Sequence, residues 1–408
     1  MAWVEDRWFI TVTNEDDSTS QKRSARHGVG KRWRVRYETP DGSERSRSFD
    51  RKPDADKFRT QTDAALLSGT YRDPDAGKIT LRKYAEKWLD DHTFDDASRE
   101  STQFRLNHIL AGLGNKRLDQ LAASPSSVQA WLRSLKLAPS TARQCFTTLS
   151  GICAAAIDDG KMVSNPCRAR SIRLPALEKR KVVPLEAAEL DALTAAMPPR
   201  YQAMVEAGAA CGLRQGEIFG LAVDDIDFLR RVVHVRRQVK MVSGRVVLAL
   251  PKRGKTRDVP LPQTSSLIFA EHIRLYPPRP VTVPEHAPGT RRHGKPAEER
   301  LLFTSPVSRK ALSRHRFNTN VWKPALLAAA IPVTRENGMH VLRHSYASRL
   351  LSNGVDIRRL AECLGHDDPG FTLRVYTHLM KGGDEQVRQA IDAAFAVPSP
   401  AQSGAVSE

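Results

Sequence analysis

The sequence predicts a multidomain α+β protein in three folded parts. These are an N-terminal three-stranded sheet plus helix over residues 1–75, a helical domain over 78–170, and a mostly α domain with a small antiparallel sheet over 184–396. Three observations predict this. At 408 residues the chain exceeds what one ordinary core serves, so two or three domains are expected. Apolar residues recur with a period of two near the N-terminus and with helical spacing from residue 80 onward. A basic linker at 171–183 separates that helical stretch from a second, mixed pattern, and residues 397–408 read as a disordered tail.

Composition narrows the partners. Lys and Arg outnumber Asp and Glu by 64 to 46, a formal charge of +18 with a pI near 9.9. Such an excess points toward a polyanion, either nucleic acid or an anionic membrane surface. No apolar run approaches the roughly 18 residues of a membrane span, and the N-terminus shows no apolar signal core. Nucleic acid is therefore favoured and no membrane partner is expected. The five cysteines, Cys145, Cys153, Cys167, Cys211 and Cys363, are odd in number, scattered, and never in a CxxC or Cys/His metal spacing. Neither a disulfide framework nor a metal site is expected, and a reducing cytoplasm fits.

Residues 7–12 form the first expected strand, and the basic stretch through Ser18, Lys22, Arg23, Arg26 and Gly28 reads as a loop. Residues 32–37 alternate strictly, with Trp33, Val35 and Tyr37 on one face and Arg32, Arg34 and Arg36 on the other. Pro40-Asp41-Gly42 signals a turn, and residues 43–49 return as a third strand. A helix through Ala55, Phe58, Thr62, Ala65 and Leu66 can cover the apolar face and ends near Gly69. Two readings stand for the arginine face. It is a solvated edge whose charges discourage aggregation, or a ribbon laid in a DNA groove with arginines reaching phosphates and base edges.

In the helical domain Thr80 is placed to cap a helix whose Leu81, Tyr84, Ala85 and Trp88 share one face. Further helices are expected at 98–110, 124–136 and 139–159, with Asn165-Pro166 as a stop. Arg99, Thr102, Gln103 and Arg143 lie on polar faces, where phosphate contact and plain solvation are both open. The cluster Glu178-Lys179-Arg180-Lys181-Val182 reads as an exposed linker that would let two lobes close around a duplex. After Pro184 come a capped helix start at 185–190, a helix at 203–210, strands at 232–235 and 246–250, and a Lys252–Lys255 loop placed at a hairpin tip. Residues 277–298, rich in Pro, His, Gly and basic residues, read as a surface excursion. Helices resume at 313–330, 339–353 and 357–364, the last leading into Gly365-His366.

The stretch from His340 to Tyr376 holds side chains that a core does not need, among them the imidazoles of His340, His344 and His366, the guanidinium of Arg343 and the phenol of Tyr376. On a helix His340 and Arg343 project about 60° apart, so they share a face. That face lacks the carboxylates of a two-metal nuclease. Gly212-Leu213-Arg214-Gln215-Gly216-Glu217 supplies a second arginine, with Glu217 placed to orient it or a neighbouring imidazole. Two guanidiniums suit a phosphodiester, because each can bond non-bridging oxygens bidentately while cancelling charge. The charge grows as phosphorus becomes pentavalent, so preorganised cations stabilise the transition state most. Tyr376 can attack as an oxygen nucleophile if a base takes its proton. A lysine on the mobile loop can protonate the leaving oxygen, Lys252 in first place and Lys255 in second.

These segments resemble the tyrosine recombinase, or phage integrase, family, in particular the three-domain integrases of bacterial mobile elements. Gly212–Ile218 resembles the first arginine box. His340-Val341-Leu342-Arg343-His344-Ser345-Tyr346-Ala347 and Leu364-Gly365-His366 resemble the second, and Thr372-Leu373-Arg374-Val375-Tyr376-Thr377-His378 resembles the nucleophile segment. The likeness is close over about 184–380, rests on helical pattern over 78–170, and is looser over the first 75 residues. It implies that Arg214, Lys252, His340, Arg343 and His366 activate the phosphate and handle protons, and that Tyr376 is the nucleophile. It implies an arm-type DNA-binding sheet at 1–75, a core-binding helical domain at 78–170 and a catalytic domain at 184–396. It further implies cleavage and rejoining of double-stranded DNA at core and arm sites by a tetramer without metal or nucleotide cofactor, in the nucleoid. An accessory DNA-bending or excision factor can assist. The 277–298 insert departs from minimal members. A helix at 384–395 is open to docking on a neighbouring subunit or on its own domain.

Two other classes share parts of this pattern. A DNA-binding regulator would use Ile357–His366 followed by Thr372-Leu373 as a helix-turn-helix, with Gly365 in the turn, but has no use for Arg214, Lys252 and Tyr376. A type IB topoisomerase would share the chemistry but act without a partner site.

Overall fold

The computed structural model describes residues 2–13, 19–40, 42–69, 71, 73, 75–94, 96–177, 183–286, 294, 296–376, 388, 391–392 and 395. The chain divides into two compact units, residues 1–92 with 101–177, and residues 93–100 with 178–408. The linker cluster at 178–182, most of the 384–395 helix and the 397–408 tail fall outside the described residues.

In the first unit the alternating segment is the central strand, Trp33–Glu38, of a three-stranded antiparallel sheet with Trp3–Asp6 and Glu44–Phe49 at its sides. Val35 and Tyr37 pack with Ala2 and Ala55 in a small core closed by the helix Lys52–Leu67. Two expectations need correction. The first strand lies at Trp3–Asp6, upstream of 7–12, and Phe9–Thr13 pairs with Thr19–Arg23 in a separate hairpin. Much of the presumed loop is therefore strand. Every residue of Thr19–Arg23 is exposed, so no apolar alternation announces it, and its backbone pairs with Phe9–Thr13.

The helical part follows its periodicity. Thr80 caps Leu81–Asp91 by accepting a hydrogen bond from the Lys83 amide, and Leu81, Tyr84, Ala85 and Leu89 are buried. Asp96–Leu113, Pro125–Ser134 and Pro139–Asp158 come next, with an additional short helix at Leu118–Ala122. Asn165 accepts from the Cys167 amide and turns the chain out of helix.

The second unit has a large core that includes Leu193, Met204, Phe219, Val233, Phe269, Phe303, Trp322 and Leu342. A smaller one comprises Tyr346, Ala347, Leu351, Leu360, Cys363, Leu364 and Tyr376. The helix His340–Ser352 bridges them, with Val341 and Leu342 in the first and Tyr346 and Ala347 in the second. Arg343 therefore sits at the seam.

The sheet topology corrects the hairpin expectation. Gln238–Val242 pairs with Arg245–Ala249 through Ser243-Gly244, whose φ angles of 47° and 74° are those of a tight hairpin turn. Val232–Val235 instead lies between Ile226–Asp227 and Arg257–Pro260. Lys252–Lys255 is thus a crossover between two sheets, beginning where Pro251, which has no amide proton, stops the strand. The 277–298 excursion is anchored by a two-stranded pair, Val281–Pro284 with Pro296–Glu299, and Val281 and Val283 enter the core. Its tip, 287–293, is outside the described residues.

Leu342 is fully buried and stands against Gly208, where an added Cβ would meet it at 2.7 Å. Leu342→Ala should lower stability by about 2–5 kcal/mol, read as a lower urea midpoint with an unchanged slope.

Candidate active site

Segments far apart in the chain converge at the seam between the two cores of the second unit. Gly212 has φ +63°, and a Cβ there would lie 2.5 Å from the Tyr346 ring, so only glycine fits. Its carbonyl accepts a hydrogen bond from Arg343 Nη1 at 2.8 Å. Two residues on, Arg214 stands at the N-cap position of the short helix Gln215–Phe219. Glu217 accepts from the Arg214 amide at 2.9 Å and from its Nη1 at 2.8 Å. The same buried carboxylate takes a bidentate pair from Arg257, at 2.9 and 2.7 Å. Burial alone would raise the Glu217 pKa, but the Arg257 bonds and charge, with Arg214, hold it down to about 2.

Arg343 is buried, and among the described residues its hydrogen bonds go to neutral acceptors: the carbonyls of Gly212 and Leu364, and His366 Nε2 at 3.1 Å. Burial and then the Arg214 charge lower its pKa to about 9. A guanidinium only donates, so His366 Nε2 must be the acceptor. His366 is therefore neutral, and its Nδ1–H donates to Thr372 Oγ1 at 2.7 Å. Desolvation, then Arg343 and Arg214, bring its pKa to about 4. Gly365, left-handed at φ 61°, ends the helix Ile357–Leu364 and turns His366 inward.

His340 and His344, one helical turn apart, meet edge to face with ring centroids 4.7 Å apart. His340 keeps exposed surface. Partial desolvation and the groups around it, His344, Arg343 and Arg214, still lower its pKa well below the ordinary imidazole value. His344 Nδ1 lies 2.8 Å from the Tyr376 hydroxyl. Tyr376 is 1% exposed, and burial pushes its pKa up to about 12 against the opposing charges of Arg343 and Arg214. Beside this cluster opens a groove of about 550 Å³ whose lining includes Arg214, Lys240, Arg314, Arg335 and His340.

Six of the residues singled out in the sequence, Arg214, Glu217, His340, Arg343, His366 and Tyr376, are thus brought together. Lys252 is exposed on its turn, whereas Lys255 pairs with Asp367, next to His366. The arginines singled out before residue 178 make contacts of their own. Arg32 pairs with Asp6 at 2.8 Å, and Arg36 with Glu5 at 3.0 Å and Glu44 at 2.8 Å. Arg34 Nε is buried with no hydrogen-bond partner among the described residues. Arg143 donates to the Pro175 carbonyl at 2.8 Å, and Arg99 is half-buried on the helix Asp96–Leu113. Thr102, read as a polar-face residue, is buried and accepts from Arg105 at 2.7 Å. Arg257, His344 and Thr372 had no assigned role from sequence. The His340/His344 spacing of four was a legible signal, whereas Arg257 was hidden in a basic run.

Residues 184–382 match the Phage integrase family. A Mycobacterium tuberculosis protein named as the phiRv2 prophage integrase is 30% identical over 368 residues, spanning 87% of this chain and 91% of that one. Among solved structures, the Tn1549 transposon integrase in complex with a circular intermediate DNA is 18% identical with a TM-score of 0.64, covering 77% of this chain and 99% of its own. A lambda integrase tetramer bound to a Holliday junction is 17% identical with a TM-score of 0.52, covering 84% and 91%. At those identities the two solved structures establish the α+β fold.

The carboxylate at the centre of the cluster carries a pH signature. Because the folded pKa of Glu217 lies below its ordinary 4.5, its stabilisation is present above that value and is lost as pH falls toward about 2. Between pH 5 and 2 the wild type should lose on the order of 3 kcal/mol more than Glu217→Gln does. Paired urea titrations at each pH measure that difference.

Proposed function

This chain belongs to the phage integrase family, and from that premise we propose that its clustered side chains carry out DNA cleavage and rejoining through a phosphotyrosyl intermediate. It is a tyrosine-type site-specific recombinase of a phage or mobile element. Arg214 and Arg343 grip the non-bridging oxygens of the scissile phosphate, and His340 and His366 add hydrogen bonds to the same group. The Tyr376 oxygen attacks phosphorus, the 5′ oxygen leaves, and Lys252 on the crossover loop protonates it. Lys255 is the alternative acid, although its pairing with Asp367 occupies its ammonium. Glu217 orients Arg214. The ester to Tyr376 conserves the bond energy for rejoining, so the chemistry calls for neither metal nor nucleotide.

One observation carries the reading: Arg343 is a buried cation whose hydrogen bonds go to neutral acceptors, next to Arg214 and in the same cluster as the Tyr376 hydroxyl. An arriving phosphodiester supplies the missing anion. Residues 1–75 serve as the arm-site reader, with Arg32, Arg34 and Arg36 on one face of the sheet. Residues 78–170, with Arg99 and Arg143, serve as the core-site clamp, joined through the 171–183 linker to the catalytic domain at 184–396. Strand exchange between two sites takes a tetramer on double-stranded DNA, with an accessory bending or excision factor setting direction, and places the protein at the nucleoid. No helix among the described residues is long and apolar enough to cross a membrane.

With a duplex nicked beside the cleavage point, wild type should trap a covalent protein–DNA adduct in EDTA and Tyr376→Phe should trap none. An adduct in that variant would refute the assignment of the nucleophile. Binding to the intact duplex should weaken steeply with salt as counterions return.

A further inference from the structure

We propose that His344 is a further catalytic residue, the base whose Nδ1 takes the proton of the Tyr376 hydroxyl as that oxygen attacks phosphorus. This inference rests on the reading of Tyr376 as nucleophile. The geometry is direct: His344 Nδ1 is 2.8 Å from the Tyr376 oxygen, with the two rings 5.6 Å apart and tilted by 60°. The other imidazoles are less suited. His366 has both ring nitrogens engaged, by Arg343 and by Thr372. His340 keeps exposed surface at the groove, where the phosphate would enter, and meets His344 only through their rings. Arg343 and Arg214, as guanidiniums, only donate hydrogen bonds.

The surroundings set when the proton moves. The groups facing His344 are Arg343 and His340 from its own helix and Tyr376 from the helix Pro369–Tyr376, while Arg214 acts on Tyr376 and His340. Burial and Arg343 hold the imidazole neutral, with a pKa near 4, so Nδ1 is a free base at neutral pH. Before substrate arrives Tyr376 keeps its proton, since its own pKa is about 12. A bound phosphodiester anion offsets the charge of Arg343 and Arg214 and makes the imidazole more basic. The tyrosyl oxygen loses its basicity as it becomes a phosphate ester. The step balances: the Tyr376 O–P bond forms, the P–O5′ bond breaks, the phenolic proton passes to His344, and the 5′ oxygen takes a proton from the lysine acid. Rejoining runs the same transfers backward.

The test uses the full chain and nicked duplexes carrying the element's own attachment core, in two forms, one with the natural 5′ oxygen and one with sulfur at the bridging position. A thiolate leaves without a general acid, so the sulfur substrate isolates activation of the nucleophile. His344→Ala should slow adduct formation on the order of 100-fold on both substrates, while binding to unnicked duplex stays as in wild type. Its rate should climb about tenfold per pH unit, because tyrosinate must now form beforehand, whereas wild type is flat above neutrality. His344→Asn keeps a hydrogen-bonding group near the Nδ1 position but cannot hold the proton, and it should share the slow, pH-dependent behaviour. Wild-type rates in either variant on the sulfur substrate, or full recovery in His344→Asn alone, would remove the base role and leave positioning only. Absence of an adduct in wild type would instead bring down the functional reading itself.

Discussion

A buried guanidinium that, among the described residues, is hydrogen-bonded to no carboxylate is the condition around which the second unit is arranged. Removing a cation from water is costly unless hydrogen bonds and an opposite charge replace the solvent. Arg343 donates its hydrogen bonds, to the Gly212 and Leu364 carbonyls and to His366, yet the buried carboxylate of Glu217 is spent on Arg214 and Arg257. Among the described residues three arginines gather at this glutamate, while Lys255 and Asp367 pair with each other, so positive charge is in excess. Burial and Arg214 register this by lowering the Arg343 pKa to about 9. An anion entering the groove relieves the excess, and one whose charge grows during reaction relieves it further. The same imbalance weakens the unliganded fold and favours the bound state.

Holding that charge in place takes the backbone of segments far apart in sequence. Gly212 and Leu364 give their carbonyls to Arg343, and Cys363 gives its carbonyl to Arg257 at 2.7 Å. Arg257 begins the strand that follows the lysine crossover, so one side chain ties that crossover to Glu217 and to the turn before His366. Lys255 makes a second tie, through Asp367. The helix His340–Ser352 fixes the remaining coordinate by burying Leu342 in one core and Tyr346 in the other. The geometry of the cluster and the packing of the core are therefore the same set of contacts.

What could be read from the sequence follows from how local each signal is. His340 and Arg343 share a face because helical spacing puts them there, and Arg214 lies near Glu217 because a helix start brings a cap and its third residue together. Gly365 was readable as a turn. The crossover was misplaced because its basic run looks like a hairpin tip, whereas the true hairpin signal is the less conspicuous Ser243-Gly244. Thr19–Arg23 escaped because a strand exposed on every side chain has no alternation to detect. Arg257 and the His344–Tyr376 contact are tertiary facts, joining residues 40 and 32 positions apart. No local periodicity encodes them.

The three imidazoles show how one electrostatic environment can yield different chemistry. Desolvation comes first in depressing each of them, with Arg343 contributing to all three, so at neutral pH the cluster is neutral at every histidine. Their folded values lie below the ordinary 6.5, so the unfolded chain binds more protons and the fold loses stability as pH falls below that value. Hydrogen bonding then separates the histidines. His366 must be the Nδ1–H tautomer because Arg343 demands an acceptor at Nε2, which makes it rigid and leaves it no capacity for another proton. His344 is bonded through Nδ1 to a phenol that can itself give up a proton, and so retains that capacity. The positive field that keeps all three neutral thus makes one a fixed acceptor for a guanidinium and another a base for a hydroxyl, with the partner of each ring nitrogen deciding between the roles.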